Sequence, residues 1–418
     1  MEINLIVFAL AQSKQCGSEK PHAALLEEIK KHFDIHWVGY KELDKLDRKV
    51  CSVVFIASGG VEKAFEQCYE KLPHPVILLA DGSCNSLGAA LEIAAWARQR
   101  SIRLEVLHGD NREVLPRLAD ICHYFAVLQG LQRRKIGVIG GTVPWLIASN
   151  VDYLLAKRRW GLEYADIPME RLVRCFGEVA EDDMDPELTY LAVKAGDSCK
   201  ASPQELLKAL RVYKAVKRIC EEDRLDAVTL NCLALSEQLQ ATGCLALSLL
   251  NNEGVPAVCD GDLQAAFSLL ALKMLTGRTG LMVTPVSIDR RYNEMSFSYC
   301  FVSLRRAERF VLQNDASLDD RISVQGMLPL GEVTIWRCGG ECLDEYWVAS
   351  GKLLENMDAG KAGRSQVKVR LDASVDSLFQ HPLGSHYVLV PGDCMDMLDR
   401  FMQINSCRKI DCQPRFSI

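Results

Sequence analysis

Three carboxylates occupy a ten-position window in NNEGVPAVCDGDLQAAFSLLALKMLTG, residues 251–277. They are Glu253, Asp260 and Asp262, and an apolar helical pattern follows them. Such a loop can cap the helix, ligate a hard divalent cation or move a proton. For Asp260 or Asp262 taken singly, a helix cap is at least as good an explanation as catalysis. Loops that follow strands of an α/β sheet bind ligands, and this location favours a functional role.

Histidines and further carboxylates limit which partners this loop can have. The chain has 8 histidines, and none lies between His123 and His381. A histidine partner must therefore come from the first third of the chain or from QHPLGSH, residues 380–386, where His386 enters a strand pattern. His386 is either a ligand or a loop histidine bonded to backbone. Glu237 is a candidate ligand or an exposed helix residue, and Glu253 looks more like a turn residue.

Two further polar loops follow predicted strands. Trp145 comes just after the glycine turn in GGTVPWL, and it either stacks on a sugar ring or packs at a domain interface. Asn85 opens NSLGAALEI, where it either contacts ligand or caps its helix. Both residues are candidate substrate-binding groups, because strand-end loops of α/β sheets face ligands.

Composition excludes several classes of protein. A net charge of −6 with a pI near 5.8 argues against a nucleic-acid surface, which needs concentrated basic charge. No segment approaches the roughly 18 apolar residues of a membrane span. The first residues, MEINLIVFAL, indicate a β-strand rather than an export signal, because Glu2 stands where a basic leader is expected. We therefore predict a cytoplasmic protein whose 17 cysteines are reduced and mostly buried.

The elements that position these residues form three regions. Short β-branched runs alternate with amphipathic helices over the first two thirds, which indicates parallel, doubly wound sheets. After about residue 290 strand-like runs separated by turns predict a smaller antiparallel, barrel-like region. We predict a Rossmann-like (flavodoxin-like) α/β domain at 1–132, a second at 133–289 carrying the carboxylate loop, and a β-barrel-like domain at 290–418 carrying His386.

Four segments in this order resemble the L-fucose isomerase/L-arabinose isomerase superfamily, in its shorter fucose isomerase-like branch. The resemblance covers most of the chain. It rests on the NSLGAALEI loop, the IGVIGGTVPWLIAS turn, the stretch from NCLALSEQL to the carboxylate loop and its helix, and the C-terminal PLGSHYVLVPGD.

The resemblance implies a homo-oligomer, a trimer or hexamer, with active sites between subunits. It also implies a Mn²⁺-type ion, or another divalent cation, held by a Glu, an Asp and a His. Asp262 matches the aspartate of the family's E-G-D-type loop, and His386 matches its C-terminal histidine. Glu237 is the best match for the glutamate, with Glu253 second.

The chain also departs from that pattern. Asp260, a candidate substrate contact, stands where the loop usually has a glutamate. Thr284 stands where relatives commonly have an aspartate, and Tyr299-Cys300 where they have a His-Cys pair. These departures leave the ligand set implied by the resemblance in place. We hypothesise a metal-dependent aldose–ketose isomerase that acts on a small sugar through an enediolate, with Glu237 or Asp262 moving the proton. Tyr299, a candidate substrate contact, keeps one alternative open: a non-catalytic sugar-binding or regulatory protein on the same scaffold.

Overall fold

A computed structural model describes residues 1–10, 22–180, 199–315, 321–357 and 364–410. The chain divides into two compact units. The first unit comprises Met1–Gln129 with Ile404–Ser406, and the second comprises Gly130–Gln403 with Cys407–Ile418.

The first unit contains a five-stranded parallel sheet in the order β2-β1-β3-β4-β5. This is the flavodoxin-like doubly wound order, so the prediction for this region is confirmed. Its elements are β1 (Glu2–Phe8), α1 (Ala23–His32), β2 (Asp34–Gly39), β3 (Cys51–Ile56), α2 (Glu62–Cys68), β4 (Val76–Leu79), α3 (Ser86–Gln99), β5 (Leu104–Leu107) and α4 (Asn111–Leu131).

Both faces of this first sheet are buried. Leu5 and Val53 pack into a core on one face, while their neighbours Ile6 and Val54 pack into a separate core on the other. Successive side chains of a strand point to opposite faces, so a sheet covered on both sides needs continuous apolar strands. The run LIVF, residues 5–8, is apolar at every position for this reason.

The second unit begins with a four-stranded parallel sheet in the order β7-β6-β8-β9. Its strands are β6 (Lys135–Ile139), β7 (Glu163–Ile167), β8 (Ala227–Leu230) and β9 (Ala257–Cys259). The accompanying helices are α5 (Tyr153–Trp160), α6 (Met169–Glu178), α7 (Pro203–Asp223), α8 (Cys232–Leu239), α9 (Cys244–Glu253) and α10 (Leu263–Thr276). This second parallel sheet confirms the predicted alternation of strands and helices.

An antiparallel barrel completes the second unit. Six strands, in the order β14-β17-β10-β11-β16-β15, close on themselves because β14 also pairs with β15. The strands of this region are β10 (Leu281–Asp289), β11 (Glu294–Tyr299), β12 (Arg309–Asp315), β13 (Arg321–Met327), β14 (Gly331–Gly339), β15 (Glu345–Met357), β16 (Ser365–Leu371), β17 (Tyr387–Pro391) and β18 (Arg408–Lys409). Two helices accompany them, α11 (Ser377–Gln380) and α12 (Met395–Ile404). The barrel-like prediction is confirmed, and the division into three domains stays a prediction.

The apolar run LDAVTLNCLAL, residues 225–235, predicts one buried strand, and the strand in the structure is shorter. The apolar run 225–235 forms a strand only to Leu230, and α8 begins at Cys232. Asn231 causes the change, because its side chain accepts a hydrogen bond from the backbone N–H of Ala234 and caps the new helix. The apolar residues after Asn231 are therefore helical, and the predicted strand is wrong over that part.

The cysteine prediction is confirmed in part. Fourteen of the cysteines in the described ranges are free thiols, and most of these are buried. Cys84 is disulfide-bonded, so the prediction of a reduced chain is wrong for this residue. Among the helices of the described residues, none is long and apolar enough to cross a membrane.

Candidate active site

A cavity of about 310 Å³ lies in the second unit, where the carboxyl ends of β8 and β9 face the barrel. Its wall includes residues that follow both strands and residues from the ends of β11 and β17. Asp260 and His386 are among them, together with Cys232, Cys259, Tyr299 and Arg364. The carboxyl edge of a parallel sheet is where α/β proteins bind ligands, so this cavity is the candidate site.

The loop of residues 260–262 is fixed in an unusual backbone conformation. Asp260 and Gly261 both have φ of +66°, in the left-handed region. A Cβ at Gly261 would lie 2.2 Å from the carbonyl oxygen of Gly141, so only glycine fits. The backbone N–H of Val143 also donates to the carbonyl of Asp260 at 3.1 Å. The neighbouring glycine turn therefore holds the loop in place, and Asp260 lies on the cavity wall.

Asp262 lies behind this wall and is fully buried. One carboxylate oxygen, Oδ1, accepts from the backbone N–H of Ala265 at 2.8 Å, which makes Asp262 the N-cap of α10. The other oxygen, Oδ2, lies 2.9 Å from Nδ1 of His386 and 3.3 Å from Nη1 of Arg337. The carboxylate thus caps the helix and also orients a histidine.

Arg337 is a fully buried cation that the sequence reasoning missed. Its Nη2 donates to Ser149 Oγ at 2.9 Å and to Gln264 Oε1 at 2.7 Å, and its Nη1 also donates to the backbone carbonyl of His386. Its position in the middle of a barrel strand gave no local signal. A buried cation requires a nearby anion, and Asp262 supplies it.

This network keeps Asp262 ionised. Burial by itself would raise the pKa of the carboxyl, but the positive charge of Arg337 and the hydrogen bond from His386 outweigh burial. Together they lower its pKa from the usual 3.8 to about 2. An ionised carboxylate only accepts hydrogen bonds, so Nδ1 of His386 is the nitrogen that carries the proton.

The same bond directs the other nitrogen of His386 toward the cavity. Nε2 lies 3.7 Å from Oδ2 of Asp260. In the neutral ring this nitrogen is an acceptor, because Nδ1 donates to Asp262. Burial, reinforced by Cys300, raises the pKa of Asp260, while the charges of His386 and Arg364 act against the rise. The cavity wall therefore presents two adjacent groups that can each hold a proton.

A set of thiols lies beside this pair. The sulfur atoms of Cys232 and Cys259 and a carboxylate oxygen of Asp260 all lie within 4.8 Å of one another. Cys300 hydrogen-bonds to Cys259 and to Cys244. The sequence reasoning missed this cluster because its members are far apart in the chain. The only available signal was that Cys232 and Cys259 each stand at the end of an apolar run before a helix.

Three of the other predicted candidates lie away from the Asp260–His386 pair. Glu237 is exposed on α8 and does not line the cavity. Glu253 ends α9, where it forms an ion pair with Lys217 at 2.8 Å. Asn85 lies in the first unit with φ of +61°, and its side chain does not cap α3.

Two aromatic candidates do line the cavity. Trp145 is 57% exposed, and this leaves its ring available to a ligand. Tyr299 is buried, and its hydroxyl donates to the backbone carbonyl of Gly326 at 2.6 Å. Its polar atom therefore already has a partner within the protein.

The residues of the predicted manganese set do not converge on one space. Glu237 is exposed on α8, and both oxygens of Asp262 are engaged by Ala265, His386 and Arg337. Of the three predicted ligands, only His386 presents an atom to the cavity. A hard ion such as Mn²⁺ prefers several oxygen ligands, and this arrangement does not fit it. We therefore assign no chemical step to manganese.

The second unit belongs to the class of α/β proteins in which a parallel sheet is joined to an antiparallel barrel. A carboxylate–histidine pair lies in the cavity between the sheet and the barrel. No protein-family model matches the chain. It is 22% identical over 334 residues to a sulfoquinovose isomerase of Alkalicoccus urumqiensis, covering 74% of this chain and 72% of that protein. It is likewise 22% identical over 300 residues to sulfoquinovose isomerases of Priestia aryabhattai and Priestia megaterium, covering 69% of this chain and 67% of each. These relatives belong to the L-fucose/L-arabinose isomerase-like superfamily, which confirms the resemblance predicted from the sequence.

Proposed function

We propose that the chain is a sugar isomerase that interconverts an aldose and a ketose in the cavity of the second unit. The observation that carries the proposal is the pairing of Asp260 with His386 on the cavity wall, Oδ2 to Nε2 at 3.7 Å. Three relatives named as isomerases support the reaction class.

The reaction requires two coupled proton movements. A base removes the proton from C2 of the aldose to give an enediolate, and the proton returns at C1 while the hydroxyl proton moves between O1 and O2. Asp260 takes the carbon-bound proton, since burial raises its pKa toward the range of an effective acid–base group. His386 takes and returns the hydroxyl proton through Nε2. Asp262 and Arg337 do not touch substrate; they hold the imidazole in one tautomer.

A sulfonated sugar is the substrate class that we propose. Among the cavity-lining residues that the structure describes, Arg364 is the only arginine or lysine. A guanidinium binds tetrahedral oxyanions through parallel hydrogen bonds, and a sulfonate offers three oxygens. The relatives' name, sulfoquinovose isomerase, supports the same class. Trp145, exposed at the wall, is positioned to stack on the sugar ring.

The superfamily resemblance adds a trimeric or hexameric homo-oligomer and a divalent cation to the proposal. The three-domain division at 1–132, 133–289 and 290–418 and a cytoplasmic location are proposed from the sequence patterns. Asn85 in the first unit remains a proposed substrate contact on the same grounds. Glu237 and Glu253 remain proposed carboxylates only if assembly or substrate binding rearranges their surroundings.

The test is isomerisation in deuterated water, followed by proton NMR. Sulfoquinovose, glucose 6-phosphate, L-fucose and L-arabinose are each incubated with the purified chain. We expect a ketose product from the sulfonated sugar, with deuterium at C2 of the recovered aldose, because the enediolate exchanges its proton with solvent. Loss of the charge in Arg364→Gln should raise KM for the sulfonated sugar more than it lowers kcat.

Two results would contradict the proposal. Tight binding of sulfoquinovose without turnover or exchange would favour the sugar-binding alternative. Product that forms in Asp260→Asn and His386→Gln at the rate of the unaltered chain would show that these two residues do not carry the protons. Leu233→Ala serves as the matched control, because it alters the cavity wall without removing a titratable group.

A further inference from the structure

We propose that the cavity holds a thiophilic divalent cation of the zinc class, bound by Cys232, Cys259 and Asp260. The inference rests on the proposed function in one respect, since it names the ion of the same cavity. Binding itself can be measured without substrate.

The geometry of the three donors supports the site. Their ligand atoms lie within 4.8 Å of one another. Zinc holds sulfur at about 2.3 Å and carboxylate oxygen at about 2.0–2.2 Å. Two donor atoms on one zinc tetrahedron therefore lie somewhat less than 4.8 Å apart, so a small contraction of the three side chains suffices to bind the ion. Cys259 is 5% exposed and Cys232 is partly buried, which limits competition from water.

The backbone around the donors fixes where they stand. Cys232 is the first residue of α8, whose N-terminus is capped by the side chain of Asn231. Asp260 is held in the left-handed region by the contacts of the preceding glycine turn. All three ligands therefore stand on fixed positions at the carboxyl ends of two adjacent strands, β8 and β9.

The fourth position of this site faces the cavity. All three donors line that cavity, so a tetrahedral ion held by them directs its remaining position to the space for substrate. Three protein ligands with one open position are typical of catalytic zinc, whereas structural zinc has four protein ligands. A carboxylate can ligate through one oxygen and keep the other for a proton, so the site is compatible with the role of Asp260 proposed above.

Donor chemistry decides which ion is favoured. Two sulfurs and one carboxylate form a soft set, which selects zinc over manganese and magnesium. The superfamily resemblance implied an oxygen-rich manganese set, and the described residues do not form one. The implied manganese set and the donors in the cavity differ for a physical reason. Cavity positions of this chain carry cysteines, and Thr284 and Tyr299 supply no carboxylate or imidazole there.

The experiment uses the full chain, stripped with a chelator under a non-chelating reductant. One equivalent of Zn²⁺ or of Mn²⁺ is added, the protein is desalted, and bound metal is counted by plasma mass spectrometry. We expect close to one zinc per chain and little retained manganese. Co²⁺ should give the absorption bands of a tetrahedral ion together with a thiolate-to-cobalt charge-transfer band.

Cys232→Ser and Cys259→Ser should each lower the zinc affinity by at least about 10- to 100-fold, the range found when even an outer partner of a ligand is lost. Both should weaken the cobalt charge-transfer band. Cys244→Ser is the matched control, because Cys244 lines the same cavity and contacts Cys300 but lies outside the donor set. It should keep the affinity and the spectrum of the unaltered chain.

Manganese retained in preference to zinc would overturn the inference. Zinc affinity unchanged in both serine variants would also overturn it, since the ion would then lie elsewhere. Failure of the proposed function looks different. Zinc bound as described without any isomerisation would leave this inference standing, whereas isomerisation by a chain that binds no zinc would leave only the proposed function.

Discussion

Each unit has a buried aspartate–histidine pair, and the two pairs have different surroundings. In the first unit Asp81, two residues beyond β4, lies 2.6 Å from Nδ1 of His22. In the second unit Asp262, three residues beyond β9, lies 2.9 Å from Nδ1 of His386. Both histidines are nearly inaccessible, at 2% and 6% exposure.

The difference lies in what surrounds each imidazole. The ring of His22 meets Phe55 edge to face at 5.0 Å, and Asp81 also accepts a hydrogen bond from Oγ of Ser86, the first residue of α3. His386 instead presents its second nitrogen to Asp260 and to a cavity. The two pairs thus differ in whether a second proton-holding group and room for a substrate lie beside the histidine. This difference is the reason for proposing the second pair, and not the first, as the catalytic one.

The sharpest test of this comparison replaces each histidine by glutamine. In His386→Gln we expect kcat/KM to fall by about 10²- to 10⁴-fold, the range for loss of a general acid–base group. His22→Gln should leave kcat/KM within about twofold, since its ring packs on Phe55 and lies outside the cavity. The measurement is steady-state isomerisation of the sulfonated sugar proposed above. Equal losses in the two variants would break the comparison.

Replacing the aspartates tests their structural roles. Asp262→Asn keeps a helix cap but leaves the fully buried Arg337 without an anion, so we expect a loss of about 3–5 kcal/mol in the free energy of unfolding. Asp81→Asn should cost only about 1 kcal/mol, because no arginine of the described ranges is paired with Asp81 and the amide can still accept a hydrogen bond. Urea denaturation at neutral pH measures both values. A larger loss for Asp81→Asn would contradict the assignment of Arg337.

The pH dependence of the unfolding free energy tests the role of Asp262 in a second way. The pKa of Asp262 falls from 3.8 to about 2 on folding, which corresponds to about 2–3 kcal/mol at roughly 1.4 kcal/mol per unit. Because the folded pKa is the lower one, this contribution is fully present above pH 4. It is lost as the pH falls from about 4 through about 2. Unfolding free energies at pH 5 and pH 2.5 should therefore differ less in Asp262→Asn than in the unaltered chain.

Much of the fold follows from sequence patterns. Short β-branched runs that alternate with amphipathic helices predicted parallel sheets, and the structure has two of them. The closed barrel followed from short runs separated by turns. Asn231 marks where this reasoning failed: one capping side chain converts the end of an apolar run from strand to helix, and periodicity cannot detect that.

The candidate site was less predictable than the fold. The sequence singled out Asp260, Asp262 and His386, and the structure brings them together. It assigned proton transfer to Glu237 or Asp262 and only a substrate contact to Asp260, because a sequence cannot show the backbone geometry that turns Asp260 toward the cavity and Asp262 toward Arg337. The thiol cluster and Arg337 depend on contacts across long sequence separations, and single-sequence patterns carry no information on those.

The smallest expected effect concerns Tyr299, which lines the cavity but gives its hydroxyl to the carbonyl of Gly326. If a free polar atom is what separates functional from structural residues, Tyr299→Phe should leave kcat/KM within about twofold. It should lower the free energy of unfolding by about 1 kcal/mol, the net value of one hydrogen bond. Kinetics and urea denaturation of the same preparation separate the two effects. A large loss of turnover with unchanged stability would show that the hydroxyl acts on substrate. A polar atom that already has a partner within the protein could then still be functional, and the criterion taken from the two pairs would be wrong.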